Sequence, residues 1–430
     1  MNYVSTRNGG APVSLSEAIR RGQAGDGGLF MPQRPPRPDL DALPDRTGPA
    51  ETAAAFLAPF FEGDGLEAEL GAICETAFDI DTPLVQPDPE QPGLHVLELF
   101  HGPTGAFKDY GARFLMACLD RLGGPDAPFT VLAATSGDTG GAVGCAAEGR
   151  AGVRAVILYP EGRVSAFQEH QLTCWNRPVE ALKIAGDFDA CQALVKEAFS
   201  DEKLSRRHRL TSANSINIAR LLPQAAYIAF AARRVFGRTG RAASFIIPTG
   251  NLGHGVAAML AKACGAPIGE IQLATNANAT LADWAATGRY APRASVATLA
   301  NAMDVGAPSN FERLTGLIQA PPPVTRAEDP VIAARIKTVF ERTGYIACPH
   351  TACAFEAHAS LPHETKRAPW ILAATAHPYK FAETVDSVLG RTVDPSPALK
   401  AVLARPSRHT ACKPELGALA AALDQFGETA

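Results

Sequence analysis

Three short segments carry residue types that could do chemistry together. The first is HGPTGAFKDYGAR, His101 to Arg113. A Gly/Pro-rich turn delivers Lys108 to the start of a helix. Burial and the positive end of a helix both favour a neutral amine there, the form that adds to a carbonyl carbon. The second is ATSGDTGGAVG, Ala134 to Gly144. It follows an apolar run and opens a helix, so its free backbone N–H groups make an anion site. Ser136, Gly137 and Thr139 suit a carboxylate or a phosphate. The third is IIPTGNLGHGVAA, Ile246 to Ala258. Gly250, Gly253 and Gly255 would let backbone amides approach a phosphate closely. Asn251 adds a side-chain donor. Each segment has a plainer reading: a surface lysine, a glycine-rich strand–helix turn, and a nucleotide loop. The spacing G-x-x-G-x-G is not the dinucleotide fingerprint.

The elements that position these segments alternate. Val131–Thr135, Val153–Tyr159, Val179–Ala185, Phe245–Pro248, Glu270–Thr275 and Trp370–Thr375 are short, continuous and apolar, as parallel strands covered on both faces should be. Between them the periodicity predicts helices over Tyr110–Leu122, Thr139–Ala147, Phe188–Phe199, Ile218–Phe236, Val256–Cys264 and Val331–Arg342. Strand–helix alternation argues for an α/β protein with parallel sheets. With 430 residues the chain has room for two or three domains. Four prolines between Pro83 and Pro92 mark a boundary. The expected division is an N-terminal region over 1–95, a smaller α/β domain carrying Lys108 over 96–240, and a larger one over 241–430. The last carries the Gly250 loop and ends in one amphipathic stretch, Ala411–Ala430.

Composition narrows the function. Hydrophobic residues are 46% and charged residues 20%, so wholesale disorder is excluded. A net charge of −4 argues against a nucleic-acid partner. No apolar run reaches the roughly 18 residues of a membrane span, and the polar N-terminus lacks the core of a signal peptide. Nine cysteines with no C-x-x-C pair read as small buried hydrophobes in a reducing cytoplasm. Cys348, His350 and Cys353 form the one dense patch, but no fourth ligand is evident, so no metal is expected.

One amine and two anion sites together describe an amino acid held on pyridoxal 5′-phosphate. At this point the chain resembles the threonine synthase family, fold-type-II pyridoxal-phosphate enzymes related to the tryptophan synthase β subunit. STRNG at Ser5–Gly9, DGGLFMP at Asp26–Pro32, HGPTGAFKD, TSGDTGGA, NSINIARLLPQ at Asn214–Gln224, PTGNLGHG, PHTA at Pro349–Ala352 and TAHPYKF at Thr375–Phe381 follow the family's pattern in order. The resemblance covers nearly the whole chain. It implies two parallel-sheet α/β domains with a small N-terminal region.

The resemblance implies roles for individual residues. Lys108 binds the cofactor and shuttles protons. Gly250, Asn251, Leu252 and Gly253 hold its phosphate, Asp138 stands beside the ring hydroxyl, and Thr375 lies near the pyridine nitrogen. An ionised Asp138 against a ring phenolate is unfavourable, which predicts one shared proton. Ser136, Gly137 and Thr139 take the substrate carboxylate. The implied substrate is O-phospho-L-homoserine, a small molecule whose phosphate suits Asn217, Arg220 and Lys380. Arg7, with Ser5 and Thr6, is a further candidate. His101, His350 and His377 are candidates for proton transfer or for structural hydrogen bonds. The implied reaction makes L-threonine and phosphate by γ-elimination and β-addition of water, in a monomer or homodimer. His254 stands where relatives often have Asn or Asp, and Cys348 where an acid often precedes Pro-His.

A phospho-lyase on the same scaffold is the alternative, releasing phosphate and a 2-oxo acid. The cofactor motifs do not separate the two. A serine/threonine dehydratase would not need the STRNG and DGGLF segments. A binding module would not need Lys108 with both anion loops.

Overall fold

In the computed structural model, residues 1–44, 46–135 and 137–429 are described. Two sheets dominate. One has five parallel strands in the order Thr410–Cys412, Val179–Ile184, Val153–Pro160, Phe129–Ala134 and Leu210–Thr211. The other has six, in the order Val324–Arg326, Ile268–Thr275, Ala243–Pro248, Trp370–Ala374, Leu94–Glu98 and Leu84–Val85, of which the last is antiparallel. Every residue of Ala243–Pro248 and of Trp370–Ala374 is buried. Both faces are covered by helices, which is why these strands show no alternation. A third, two-stranded antiparallel sheet pairs Tyr3–Ser5 with Phe30–Pro32. No helix among the described residues is long and apolar enough to cross a membrane.

The helix Ile218–Thr239 lies at the centre. It is buried on nearly all sides of its first four turns, from Ile218 to Ala232. An all-round apolar helix belongs in a core. It packs against the helices Lys108–Gly123, Gly253–Ala263 and Pro49–Phe61. Two of the three chemical segments thus rest on one common support.

The sheets cross the expected boundaries. Leu94–Glu98 belongs to the six-stranded sheet, between Trp370–Ala374 and Leu84–Val85, not to an N-terminal unit. Thr410–Cys412 returns to the five-stranded sheet beside Val179–Ile184. The C-terminal stretch is therefore a strand followed by the helix Leu416–Thr429, not one helical segment. A three-residue edge strand is too short to show a period, and its partner is more than 200 residues away.

Candidate active site

Lys108 opens the helix Lys108–Gly123. The turn before it is clamped by Asp109, which is 1% exposed. Thr104 donates its backbone N–H and its hydroxyl to the two carboxylate oxygens, at 3.0 and 2.6 Å. Burial raises the Asp109 carboxyl to about 6, against the pull of the two Thr104 hydrogen bonds. The turn is also pinned to the end of the strand Trp370–Ala374. Phe107 N donates to the Thr375 carbonyl at 2.9 Å, and His377 N donates to the Gly105 carbonyl at 2.9 Å. Thr375 is thus adjacent to the lysine turn.

The Lys108 amine meets Asp138 on the next helix, Asp138–Ala147. Nζ lies 3.4 Å from Oδ2. On the other side, Lys380 Nζ lies 3.1 Å from Asp138 Oδ1. Burial alone would raise the Asp138 carboxyl. The Lys380 ammonium, then that of Lys108, overcome this and hold it well below the usual carboxylate range. Two flanking lysines thus favour the ionised carboxylate. Lys108 itself is lowered, chiefly by burial, while Asp138 pulls upward and Lys380 adds to the lowering.

Glycines let the Asp138 helix sit on its sheet. A Cβ at Gly140 would come 2.4 Å from the Thr135 side chain, and one at Gly144 would come 2.4 Å from Trp175. These glycines serve close packing of the helix against its neighbours. The expected anion loop reduces to Gly137 and Thr139, since Ser136 lies outside the described residues. Gly137 N is already bonded to the Thr135 hydroxyl at 3.0 Å, while Thr139 is half-buried in the first turn.

The Gly250 loop is built differently. Leu252 adopts φ 64° and ψ −6°, a left-handed conformation unusual for leucine, and no side chain caps the helix Gly253–Ala263 that follows. Strain of this kind persists only where surrounding contacts impose it. They do so here. Asn251 Nδ2 donates to Ser215 Oγ at 2.7 Å, and Ser309 N donates to Asn251 Oδ1 at 2.5 Å. Asn310 Nδ2 donates to the Asn251 carbonyl at 3.1 Å. Fully buried Arg313 holds Asn310 Oδ1 at 2.9 Å and the carbonyls of Phe30 and Ile216 at 2.9 and 2.6 Å. Asn251 therefore shapes the loop, and no side chain caps the first-turn amides. The ring of His254 stacks on Phe107 at 4.9 Å and 13°, joining this loop to the lysine turn.

Two candidates for the substrate phosphate, Asn217 and Lys380, are engaged elsewhere, and Arg220 is engaged only in part, its Nε buried without a partner among the described residues. Asn217 caps the central helix: its Oδ1 accepts from Ala219 N at 3.0 Å, and its Nδ2 donates to the carbonyls of Ile19 and Ser212. All of its amide groups are occupied. Lys380 spends its three donors on Asp138, on the Thr104 carbonyl at 2.8 Å and on Gln171 Oε1 at 2.6 Å. Its side chain is 2% exposed. Arg220 is buried against Gly111 of the lysine helix, where a Cβ would come 2.8 Å from its Nε. It donates to the Ala213 carbonyl at 2.5 Å, and burial lowers it to about 10. Sequence spacing could not show that these cations point inward.

The N-terminal candidates are also committed. Asp26 binds Ser5 Oγ at 2.8 Å and Gly9 N at 2.8 Å, tying STRNG to DGGLF. Arg7 and Thr6 hold Glu312, with Arg7 paired at 2.5 Å. His101 pairs with Glu98 at 2.7 Å, and His377 Nδ1 accepts from Tyr379 N as a cap. Sequence reasoning passed over Asp109, Gln171, Asn310 and Arg313. Asp109 had a signal, an acid beside the lysine in the first helical turn. Arg313 had none, because most of its partners are backbone carbonyls far along the chain.

Known proteins share this sequence and fold. Residues 76–373 match the family described as pyridoxal-phosphate dependent enzyme, 2–78 the threonine synthase N terminus, and 351–423 the threonine synthase C-terminal family. Threonine synthase of Escherichia coli (strain K12) is 36% identical over 405 residues, covering 92% of each chain. That of Haemophilus influenzae is 37% identical over 406 residues, covering 91% of this chain and 92% of its own. The crystal structure of threonine synthase from Escherichia coli superposes with a TM-score of 0.86 at 35% identity, over 99% of this chain and all of that one. PLP-bound threonine synthase from Brucella melitensis gives 0.89 at 34%, over 99% of each. The chain belongs to the threonine synthase family of pyridoxal-phosphate-dependent enzymes.

Proposed function

We propose that the chain converts O-phospho-L-homoserine and water to L-threonine and phosphate. The observation that carries this reading is the partly reachable Lys108 amine, paired with buried Asp138 and joined through Phe107 and His254 to an uncapped helix start. These residues fit pyridoxal phosphate: amides and a helix dipole for its phosphate, an amine for its carbonyl. When bound, the cofactor supplies an electron sink beside the substrate amino group.

The chain's own residues do the rest. Gly250, Leu252 and Gly253 bind the cofactor phosphate through backbone N–H groups. Thr375 offers the pyridine nitrogen a hydroxyl. Lys108, whose amine burial lowers from its ordinary value, takes the substrate Cα proton and returns protons along the carbon chain. Asp138 holds that amine in place, and Lys380 holds Asp138. Gly137 and Thr139, at the start of the Asp138 helix, take the substrate carboxylate, with Ser136, next before them in sequence, as a further candidate. Arg220 lends positive potential beneath Lys108. Closure of the two sheets over the substrate excludes water until phosphate has left.

The test is one incubation with pyridoxal phosphate and O-phospho-L-homoserine, with phosphate, threonine and 2-oxobutyrate quantified together. Threonine equal to phosphate, lost in Lys108→Ala, is the expected result. Phosphate with 2-oxobutyrate and little threonine would mean the phospho-lyase instead.

A further inference from the structure

His350 occupies the first turn of the helix Pro349–Ala359 and is 3% exposed. Its Nε2 accepts the backbone N–H of Ala302 at 3.1 Å. A ring nitrogen that accepts has no proton, so a neutral imidazole here carries its proton on Nδ1. That Nδ1 is buried and has no partner among the described residues. A buried donor left unpaired costs about 1–3 kcal/mol. The fold keeps one here, and its neighbours say why.

The bond to Ala302 places the ring behind the Gly250 loop. Ala302 and Met303 form the turn on which that loop rests, since a Cβ at Gly250 would come 2.6 Å from Met303 Cα. The ring packs 4.8 Å from Phe381, which follows Lys380. It also lies within the electrostatic reach of Asp138 and Lys108. His350 thus sits where the Lys108–Asp138–Lys380 cluster and the phosphate loop converge.

We propose that His350 is a fixed donor whose Nδ1–H hydrogen-bonds an anionic oxygen of the bound cofactor or substrate. This rests on the reading that pyridoxal phosphate binds at Lys108. Burial lowers the ring to about 4, so it stays neutral near pH 7. It cannot act as a proton donor that cycles through the imidazolium, because protonation would break the bond from Ala302. Its role is to fix a negative oxygen.

Two substitutions separate this role from a structural one. In His350→Gln the side-chain oxygen reaches the former Nε2 position and still accepts from Ala302, but the Nδ1 donor is gone. In His350→Asn the amide nitrogen takes the Nδ1 position and still donates, but the acceptor is gone. The full chain is stripped of cofactor and titrated with pyridoxal phosphate by fluorescence, and KM for O-phospho-L-homoserine is measured on the reloaded protein. The proposal expects His350→Gln to weaken one of these by about 10-fold and His350→Asn to stay within about 3-fold of the parent. A raised dissociation constant places the oxygen on the cofactor. An unchanged one with raised KM places it on the substrate. His350→Asn impaired as much as His350→Gln or more, or His350→Gln unchanged in both, would overturn the proposal. A parent chain that binds no pyridoxal phosphate would instead refute the reading on which it rests.

Discussion

Two junctions in this molecule share one plan and do opposite things with it. At each, a buried parallel strand ends in a glycine turn and a helix begins. At Gly250 the helix starts with no side-chain cap, and the polar side chains around it grip the loop from behind. Among the described residues no side chain caps its first-turn amides. At Gly137 the helix starts with its own carboxylate, Asp138, which two lysines flank. His254, in the first turn at Gly250, is a neutral ring with both nitrogens buried and unpartnered among the described residues. One junction is a neutral, uncapped helix start, the cradle we propose for the cofactor phosphate. The other carries an internal anion and organises cations around it. The motif alone specifies a helix start; the residue placed there and its neighbours decide the charge it serves.

Substitutions can break this contrast. Lys108→Ala removes the amine that Asp138 serves. Product formation should fall at least about 1,000-fold. Lys380→Met leaves Asp138 with one counterion and should cost about 3 kcal/mol in denaturant unfolding. The folded Asp138 carboxyl lies below its unfolded value near 3.9, so its contribution is full at neutral pH and is lost as pH falls through the folded value. Without Lys380 that loss should begin at higher pH. An acid limb unchanged from the parent would mean Lys380 is not the main partner.

Gly250→Ala tests the cradle. The added methyl meets Met303 backbone, which cannot swing away, so the loop must shift. Affinity for pyridoxal phosphate should drop about 10-fold or more, from about 1–3 kcal/mol of overpacking. His254→Phe tests the neutral ring. Burial lowers His254 to about 3, below its unfolded value near 6.5. Its contribution is therefore present above about 6.5 and is lost as pH falls toward 3. Replacing it should lessen the slope of stability against pH in that window by up to about 1.4 kcal/mol per unit. Asn217→Ala should have the smallest effect, about 1 kcal/mol of stability through the lost cap, with kcat/KM unchanged. A selective rise in KM there would restore Asn217 to the substrate site.

Much of the architecture is legible in the chain. The six apolar runs are strands and the six amphipathic stretches are helices, with ends shifted by a few residues. Burial on both faces leaves a strong local signature, and so does helical periodicity. Leu94–Glu98 and Thr410–Cys412 escaped because edge and return strands are identified by partners distant in sequence. The same reason explains the site. Lys108, Asp138 and the Gly250 loop stand out because local turn chemistry requires particular residues at particular spacings.

Lys380, Asn217 and Arg313 look alike in sequence to any polar residue beside an apolar stretch. Burial makes the first a counterion to Asp138, the second a helix cap, and the third a brace of backbone carbonyls. The sequence by itself marked the lysine turn and the two glycine-rich strand–helix junctions, because those depend on residue type and short spacing, and its motifs pointed to the family. The tertiary structure alone decided which cations are held by the protein's own carbonyls and carboxylates. That choice depends on which distant carbonyls and carboxylates lie within about 3 Å once the sheets have closed.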